Sequence, residues 1–463
     1  MKISKDFIIG AATAAYQAEG AVHKDGRIPI YWDREFHQEG SRFNADTASD
    51  FYHTFDQDFA MAKSIGLKAI RISIAWSRVI CNENDEINEE GLKFYDKLID
   101  SCLHHGLEPF VTLHHFDTPL IFFDKGDWLA EKTIDHFLAF AKVCFERFGT
   151  KVRHWITINE PWSVACGQYI IGHFPPHIQY DVEKAVRALH NMMIAHCKCA
   201  ALYKSYGYGG KIGIVHILES KYPLDHTPGA AMAAEREDAL ANAFLLDATL
   251  LGGYTEKTLA TINAILSGNG KDRFHISRSE YELLEKGMRC TDFLGVNYYA
   301  SHFLRPWDGA SQIVHNGTGE KGTSCFKLQG IGERKKNPSI PTTDWDWPIF
   351  PAGLYDMLTR IRNDYKNPVM YITENGIGAH ENLEDGTVDD VDRISYLQSH
   401  LEAVLKSRQE GTDVRGFFIW SLFDLFSWTN GYNKRYGLLY TDFTTNKRYL
   451  KKSAHWIKEL VHD

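Results

Sequence analysis

Two glutamates have settings that could support chemistry. Glu160 closes the apolar run HWITINE (154–160) and is followed by Pro161. Glu374 lies near the end of NPVMYITENG (367–376) and is followed by Asn375-Gly376. Each carboxylate thus sits between a strand-like segment and a turn former. Brought face to face, one carboxyl can protonate a leaving oxygen while the other attacks an anomeric carbon or activates water; this is the chemistry of glycoside hydrolysis. A lone glutamate at a strand end is ordinarily a cap. Two of them, each beside other polar groups, favour function.

The elements that must position this pair recur eight times. The runs are 7–17, 67–76, 108–116, 154–160, 211–217, 292–299, 367–376 and 414–422. They are almost continuously hydrophobic instead of alternating, as parallel strands covered on both faces are. Helical periodicity fills several intervals, for example 89–105 and 185–206. Eight strand–helix alternations predict an α/β fold, a (β/α)8 TIM barrel, over a doubly wound open sheet. The expected unit is one domain, residues 1–463, with long βα loops. Polar residues gather toward the C-terminal ends of the runs: Gln17, Arg71, His115, Asn159, Glu160, Asn297, Glu374 and Trp420. In a barrel those ends converge on one mouth.

Composition narrows the function classes. Of 463 residues, 44% are hydrophobic and 24% charged, which excludes a disordered chain. The net charge of −9 argues against a nucleic-acid binder or an anionic-membrane protein. No apolar run approaches the ~18 residues that span a bilayer. The eight cysteines form no CxxC motif and read as free thiols in a reducing compartment, so a cytoplasmic location is expected. Lys2 and Lys5 precede the apolar stretch 7–16, but Asp6 and Gly10 interrupt the pattern of a leader, and the stretch is expected to stay as the first strand.

The motifs TINEP (157–161) and YITENG (371–376) resemble the acid/base and nucleophile motifs of family 1 of the glycoside hydrolases. So do QAEG (17–20), RISIAWSR (71–78), TLHHFDTP (112–119), DFLGVNYY (292–299) and FIWSLFD (418–424). Their occurrence in order, from one end of the chain to the other, is far more specific than any one of them. The resemblance implies a retaining double displacement with Glu160 as acid/base and Glu374 as nucleophile. Arg71 matches the arginine expected to keep Glu374 ionised. Glu160 is expected to stay protonated through the negative charge of its neighbour. Tyr299 matches a tyrosine that hydrogen-bonds the nucleophile. Gln17, His115, Asn159, Asn297 and Trp420 match sugar contacts, and Trp347 a wall of the leaving-group site. For a retaining pair the carboxyl groups should lie about 5–5.5 Å apart.

Ser427 stands where ordinary β-glucosidases of the family place a glutamate that binds the sugar O4 and O6. A carboxylate there would repel a 6-phosphate; a serine hydroxyl does not. Lys434 adds a point charge and Tyr436 a hydroxyl. Ser427, Lys434 and Tyr436 thus resemble the phosphate clamp of the 6-phospho-β-glycosidase branch. Trp428 and the tail 434–456 resemble its galactosidase members, implying 6-phosphorylated β-galactosides such as lactose 6-phosphate. A 6-phospho-β-glucosidase or dual enzyme is the alternative, followed by a non-phosphorylated β-glycosidase. The implied ligand is a phosphorylated disaccharide or β-glycoside, with no cofactor and no metal.

Other signals are weaker. His114-His115 and His190 with His196 lack a metal-site motif. GYGGKIG (207–213) precedes a strand instead of opening a helix, so it is not a phosphate loop. Met192-Met193 read as core. A sugar-phosphate isomerase or aldolase would want a Schiff-base lysine or metal cluster at a strand end. A non-catalytic sugar-binding relative would have lost Glu160 or Glu374.

Overall fold

The apolar runs become eight strands that are buried almost throughout. In the computed structural model, which describes residues 3–462, they are β1 (Ile8–Ala12), β2 (Ala69–Ser73), β3 (Glu108–His114) and β4 (His154–Asn159). The circle continues with β5 (Lys211–Ile217), β6 (Phe293–Asn297), β7 (Met370–Asn375) and β8 (Val414–Trp420). Lys2 lies outside the described residues. Each strand pairs in parallel with its neighbours in sequence, and β8 pairs with β1, so the sheet closes. Closure excludes the open doubly wound sheet. All five residues of β2 and of β6 are buried, and all six of β7.

The strands are shorter than the apolar runs. The first run leaves the barrel after Ala12, and Gln17 lies on a one-turn helix, Ala15–Ala18, not on a strand end. Arg71 falls inside β2, and His115 and Tyr299 lie just beyond their strands. The runs overshoot because the loops at this end are themselves buried, so hydropathy does not mark where the ladder stops.

Helices clothe the barrel. Glu89–His104 buries Leu92, Tyr95, Leu98, Ile99 and Cys102, a stripe at helical spacing that faces the sheet. Val182–Ser205 starts where the Asp181 side chain accepts a hydrogen bond from the Lys184 backbone N–H, and it buries Met192 and Met193. Inside the barrel, Ala69, Phe110, Ile156, Val215, Phe293, Tyr371 and Phe418 pack into an apolar floor. The mouth above it is therefore a blind cavity, not a channel.

Loops after β5 and β6 build a second sheet that periodicity does not foretell. Its order is Lys221–Pro223, His302–Arg305, Gly332–Lys335, Cys325–Leu328, Gln312–Val314. These strands have three or four residues each and carry many polar side chains, so no apolar run announces them. Among the described residues no helix is long and apolar enough to cross a membrane.

Candidate active site

Both carboxylates arrive at the mouth through a break in regular pairing. Between Ile156↔Gly213 and Asn159↔Val215, β4 advances one residue more than β5. Between Ile372↔Val296 and Glu374↔Asn297, β7 does the same against β6. An extra residue of this kind re-aims the side chains that follow. Glu160 then takes a left-handed conformation, φ 47°, ψ 65°, unusual for a residue with a Cβ. It turns the chain directly into the helix Pro161–Cys166, with proline in the first position.

A continuous hydrogen-bonded network fixes the pair. Arg71, fully buried, donates from Nη1 to Glu374 Oε1 (2.5 Å), from Nη2 to Asn159 Oδ1 (2.7 Å) and from Nε to Thr112 Oγ1 (3.1 Å). The Tyr299 hydroxyl donates to Glu374 Oε2 (2.7 Å). Asn297 Nδ2 donates to Glu160 Oε1 (2.5 Å) and to Asn159 Oδ1 (3.2 Å), and Asn297 Oδ1 accepts from Thr373 Oγ1 (2.7 Å). Ser163 Oγ donates to Glu160 Oε2 (2.6 Å). Ser163 carries no signal in the sequence, and Thr112 and Thr373 lie within the motifs TLHHFDTP and YITENG without a role assigned to them there. Ser163 could have been found from helical geometry, since position i+3 faces back to the residue that opens a helix.

The two carboxyls differ in charge environment. Burial first, and the Glu374 charge second, push Glu160 up to about 8. The expected cause, the neighbouring charge, is thus real but subordinate to burial. Burial also pushes Glu374 above the ordinary carboxylate range, while Arg71 and then Tyr299 pull it back. Among the described residues Glu160 faces no such cation at hydrogen-bond distance, and it is the partner that holds a proton at neutral pH. A buried carboxylate beside a fixed guanidinium remains the better anion.

Around this pair lies a cavity of about 360 Å³ whose walls include Gln17, His115, Asn159, Trp420, Trp428 and Trp347. The His115 ring stacks 5.8 Å from Trp420, and burial with the nearby Arg71 keeps its imidazole neutral. His115 Nδ1 and Gln17 Oε1 are buried without a hydrogen-bond partner among the described residues. Buried polar atoms without partners are uncommon in folded proteins, and here they lie where hydroxyls of a bound sugar could satisfy them.

Ser427, Lys434 and Tyr436 line the same cavity. Lys434 is 2% exposed, and no carboxylate pairs with it among the described residues. Its ammonium lies 3.7 Å from the Trp347 ring centre, 4.5 Å from that of Trp345 and 5.4 Å from that of Tyr436. Burial pulls this lysine well below its usual range. Aromatic faces partly compensate a desolvated cation, but a buried charge ordinarily has an anion beside it. The site therefore has room and a cation for an anionic group in the same cavity as the carboxylates. Trp345 was not singled out in the sequence, and Trp347, expected to wall the leaving group, also shields this lysine. Trp428 stacks on Tyr16 at 5.7 Å and 5°.

The weaker sequence signals resolve into packing. His114 Nε2 bonds Thr118, His190 bonds Tyr254 and Glu280, and His196 bonds Thr157 and Thr291. GYGGKIG leads into β5. All eight cysteines are free thiols.

The profile of glycosyl hydrolase family 1 matches residues 1–463. The chain is 55% identical over 460 residues to a 6-phospho-beta-galactosidase of Clostridium acetobutylicum, covering 99% of this chain and 97% of the relative. It is 48% identical to a 6-phospho-beta-galactosidase of Leptotrichia buccalis, covering 99% and 98%. Among solved structures it superimposes on a β-glucosidase of Exiguobacterium antarcticum with TM-score 0.90 at 32% identity, covering 100% and 98%. The family 1 β-glucosidase of Thermotoga maritima gives TM-score 0.88 at 32% identity with the same coverage.

Proposed function

We propose, from the premise that this chain belongs to glycosyl hydrolase family 1, that it is a retaining 6-phospho-β-galactosidase working as one domain over residues 1–463. Its substrates are β-galactosides phosphorylated at C6, lactose 6-phosphate among them. The observation that carries the reading is Lys434: a buried ammonium without a counter-anion among the described residues, opening into the cavity that holds both glutamates. Two relatives named 6-phospho-beta-galactosidase, at 55% and 48% identity, support the same substrate class. A phosphorylated sugar is made inside cells, which together with eight free thiols favours the cytoplasm.

In the first step the Glu374 carboxylate attacks the anomeric carbon as Glu160 donates its proton to the glycosidic oxygen, and the aglycone leaves as an alcohol. A covalent galactosyl ester on Glu374 remains. Glu160, now ionised, takes a proton from water, whose oxygen attacks the anomeric carbon and releases Glu374. Tyr299 and Arg71 hold the nucleophile's two oxygens in place throughout. Gln17, His115, Asn159, Asn297 and Trp420 orient the galactose ring. Ser427, Lys434 and Tyr436 receive the phosphate. Trp428, pinned flat against Tyr16, borders the O4 side and favours the galacto epimer.

Hydrolysis of nitrophenyl β-galactoside with and without a 6-phosphate, beside the corresponding glucosides, tests the assignment. Preference for phosphorylated galactoside is expected. Preference for unphosphorylated substrate would defeat the phosphate reading, and equal rates on both phosphorylated epimers would make the enzyme dual.

A further inference from the structure

The segment that follows the Glu374 strand lies directly against the segment that carries Lys434 and Tyr436. Ala379 and Arg435 exchange both backbone hydrogen bonds, at 2.9 and 3.0 Å. The buried guanidinium of Arg393 joins the two segments, donating from Nη1 to the carbonyl oxygens of Ile377 (2.5 Å) and Tyr436 (2.9 Å). Arg435 is tied in turn to the buried Asp424 at 2.8 Å. With both backbones pinned, the side chains of Lys434 and Tyr436 cross the face of Gly378. A Cβ on Gly378 would lie 2.5 Å from Lys434 Cε, 2.6 Å from its Cγ and 2.9 Å from Tyr436 Cζ. Carbon atoms that are not bonded do not approach so closely.

Gly378 is absent from the glycines with positive φ, so its backbone conformation does not demand glycine. What excludes a side chain is the pair of residues lying across it. Lys434 has little room to retreat, because the Trp347 ring stands 3.7 Å from its ammonium and Trp345 stands 4.5 Å away. We infer that Gly378 is a specificity-determining position: its bare Cα is the slot that sets where the Lys434 ammonium and the Tyr436 hydroxyl stand toward the 6-phosphate. The inference rests on the reading of Lys434 as the phosphate anchor. It makes the loop that follows the nucleophile's strand also the gauge of where the 6-phosphate is held, since Gly378 follows Glu374 by four residues.

The test is a cycle of Gly378→Ala and Lys434→Ala, with KM and kcat measured separately on nitrophenyl β-galactoside 6-phosphate. Lys434→Ala alone examines the anchor; an unchanged KM there removes the anchor reading, and this inference with it. With the anchor intact, Gly378→Ala should raise KM by at least about tenfold, the scale of one displaced charge-assisted hydrogen bond, while kcat moves by less than about threefold. In the Lys434→Ala background the same added methyl should raise KM by a clearly smaller factor, because Lys434 Cε and Cγ, the two nearest atoms it would strike, are gone and of the three nearest only Tyr436 Cζ remains. No rise in KM in the first background, or an equal rise in both, would overturn the role of Gly378 and leave the anchor standing. Should Gly378→Ala fail to fold, the double variant must recover the cooperative thermal transition. A double variant that also fails to fold would place the strain elsewhere and overturn the inference.

Discussion

The two ends of the cavity are built on opposite plans. At the carboxylate end every functional oxygen is occupied from within: Glu374 by Arg71 and Tyr299, Glu160 by Asn297 and Ser163. At the ammonium end, among the described residues, Lys434 is held by aromatic faces and by no carboxylate, and its charge is left for something outside the protein to meet. The contrast follows from what each end must do. Nucleophile and acid must keep fixed positions and opposite protonation states before substrate arrives, which needs a satisfied network. A recognition cation gains most from a ligand when no internal carboxylate competes for it. Preorganisation and deliberate incompleteness thus coexist within one cavity.

Breaking the satisfied end should have the largest effect. Glu374→Gln keeps shape and hydrogen bonding but removes the nucleophile, and kcat should fall on the order of 10⁵-fold. Glu160→Ala should retain activity on substrates with activated leaving groups when azide is added, with the galactosyl azide of retained configuration as product. Absence of rescue in a folded protein would reverse or void the two roles.

Breaking the incomplete end should cost less and act through binding. Lys434→Ala should lower kcat/KM for the 6-phosphorylated galactoside by about 100-fold, as expected for a buried charge-assisted contact, with a far smaller change on the unphosphorylated sugar. Equal losses on both would mean that the lysine supports the fold and not the phosphate.

The protonation contrast gives a pH profile. Glu160 acts as an acid only while protonated, and its pKa stands at about 8. Activity should therefore persist through neutral pH and fall as pH rises through about 8. The acidic limb marks protonation of Glu374. Glu160→Gln assayed on an activated leaving group should lose the alkaline limb. The smallest effect belongs to Ser163→Ala. Its hydroxyl lowers the Glu160 pKa, so its removal should move the alkaline limb to higher pH, by less than one unit on the scale of a single exposed-side hydrogen bond, roughly 1 kcal/mol.

How legible these features were in the sequence follows the same division. Glu160, Glu374, Arg71, Asn297 and Tyr299 lie on or just beyond apolar strands, so pattern and family motifs together bring them to the mouth. The pattern puts Gln17 at a strand end, whereas it lies on a helix, because burial continues past the last ladder hydrogen bond. The accessory sheet escaped entirely: strands such as Gln312–Val314 are too short and polar for a period to emerge. Ser163, Trp345 and Gly378 carry no pattern of their own for a different reason, and only Ser163 is reachable from helical spacing. Their roles come from contacts across 3, 89 and 56 residues, respectively with Glu160, Lys434 and Lys434 again, and only the last two need the closed barrel to exist. The larger weight given to the neighbouring charge on Glu160 was likewise a matter of depth, since burial cannot be measured from a motif.

A crystal structure of the Glu374→Gln protein with a 6-phosphorylated galactoside bears most directly on the proposed grip. The anomeric carbon should lie between two carboxyl-derived groups about 5–5.5 Å apart, with a phosphate oxygen within about 3 Å of Lys434 Nζ and the others near Ser427 and Tyr436. A phosphate turned toward solvent with Lys434 still bare, or a carboxyl separation near 9 Å, would contradict it.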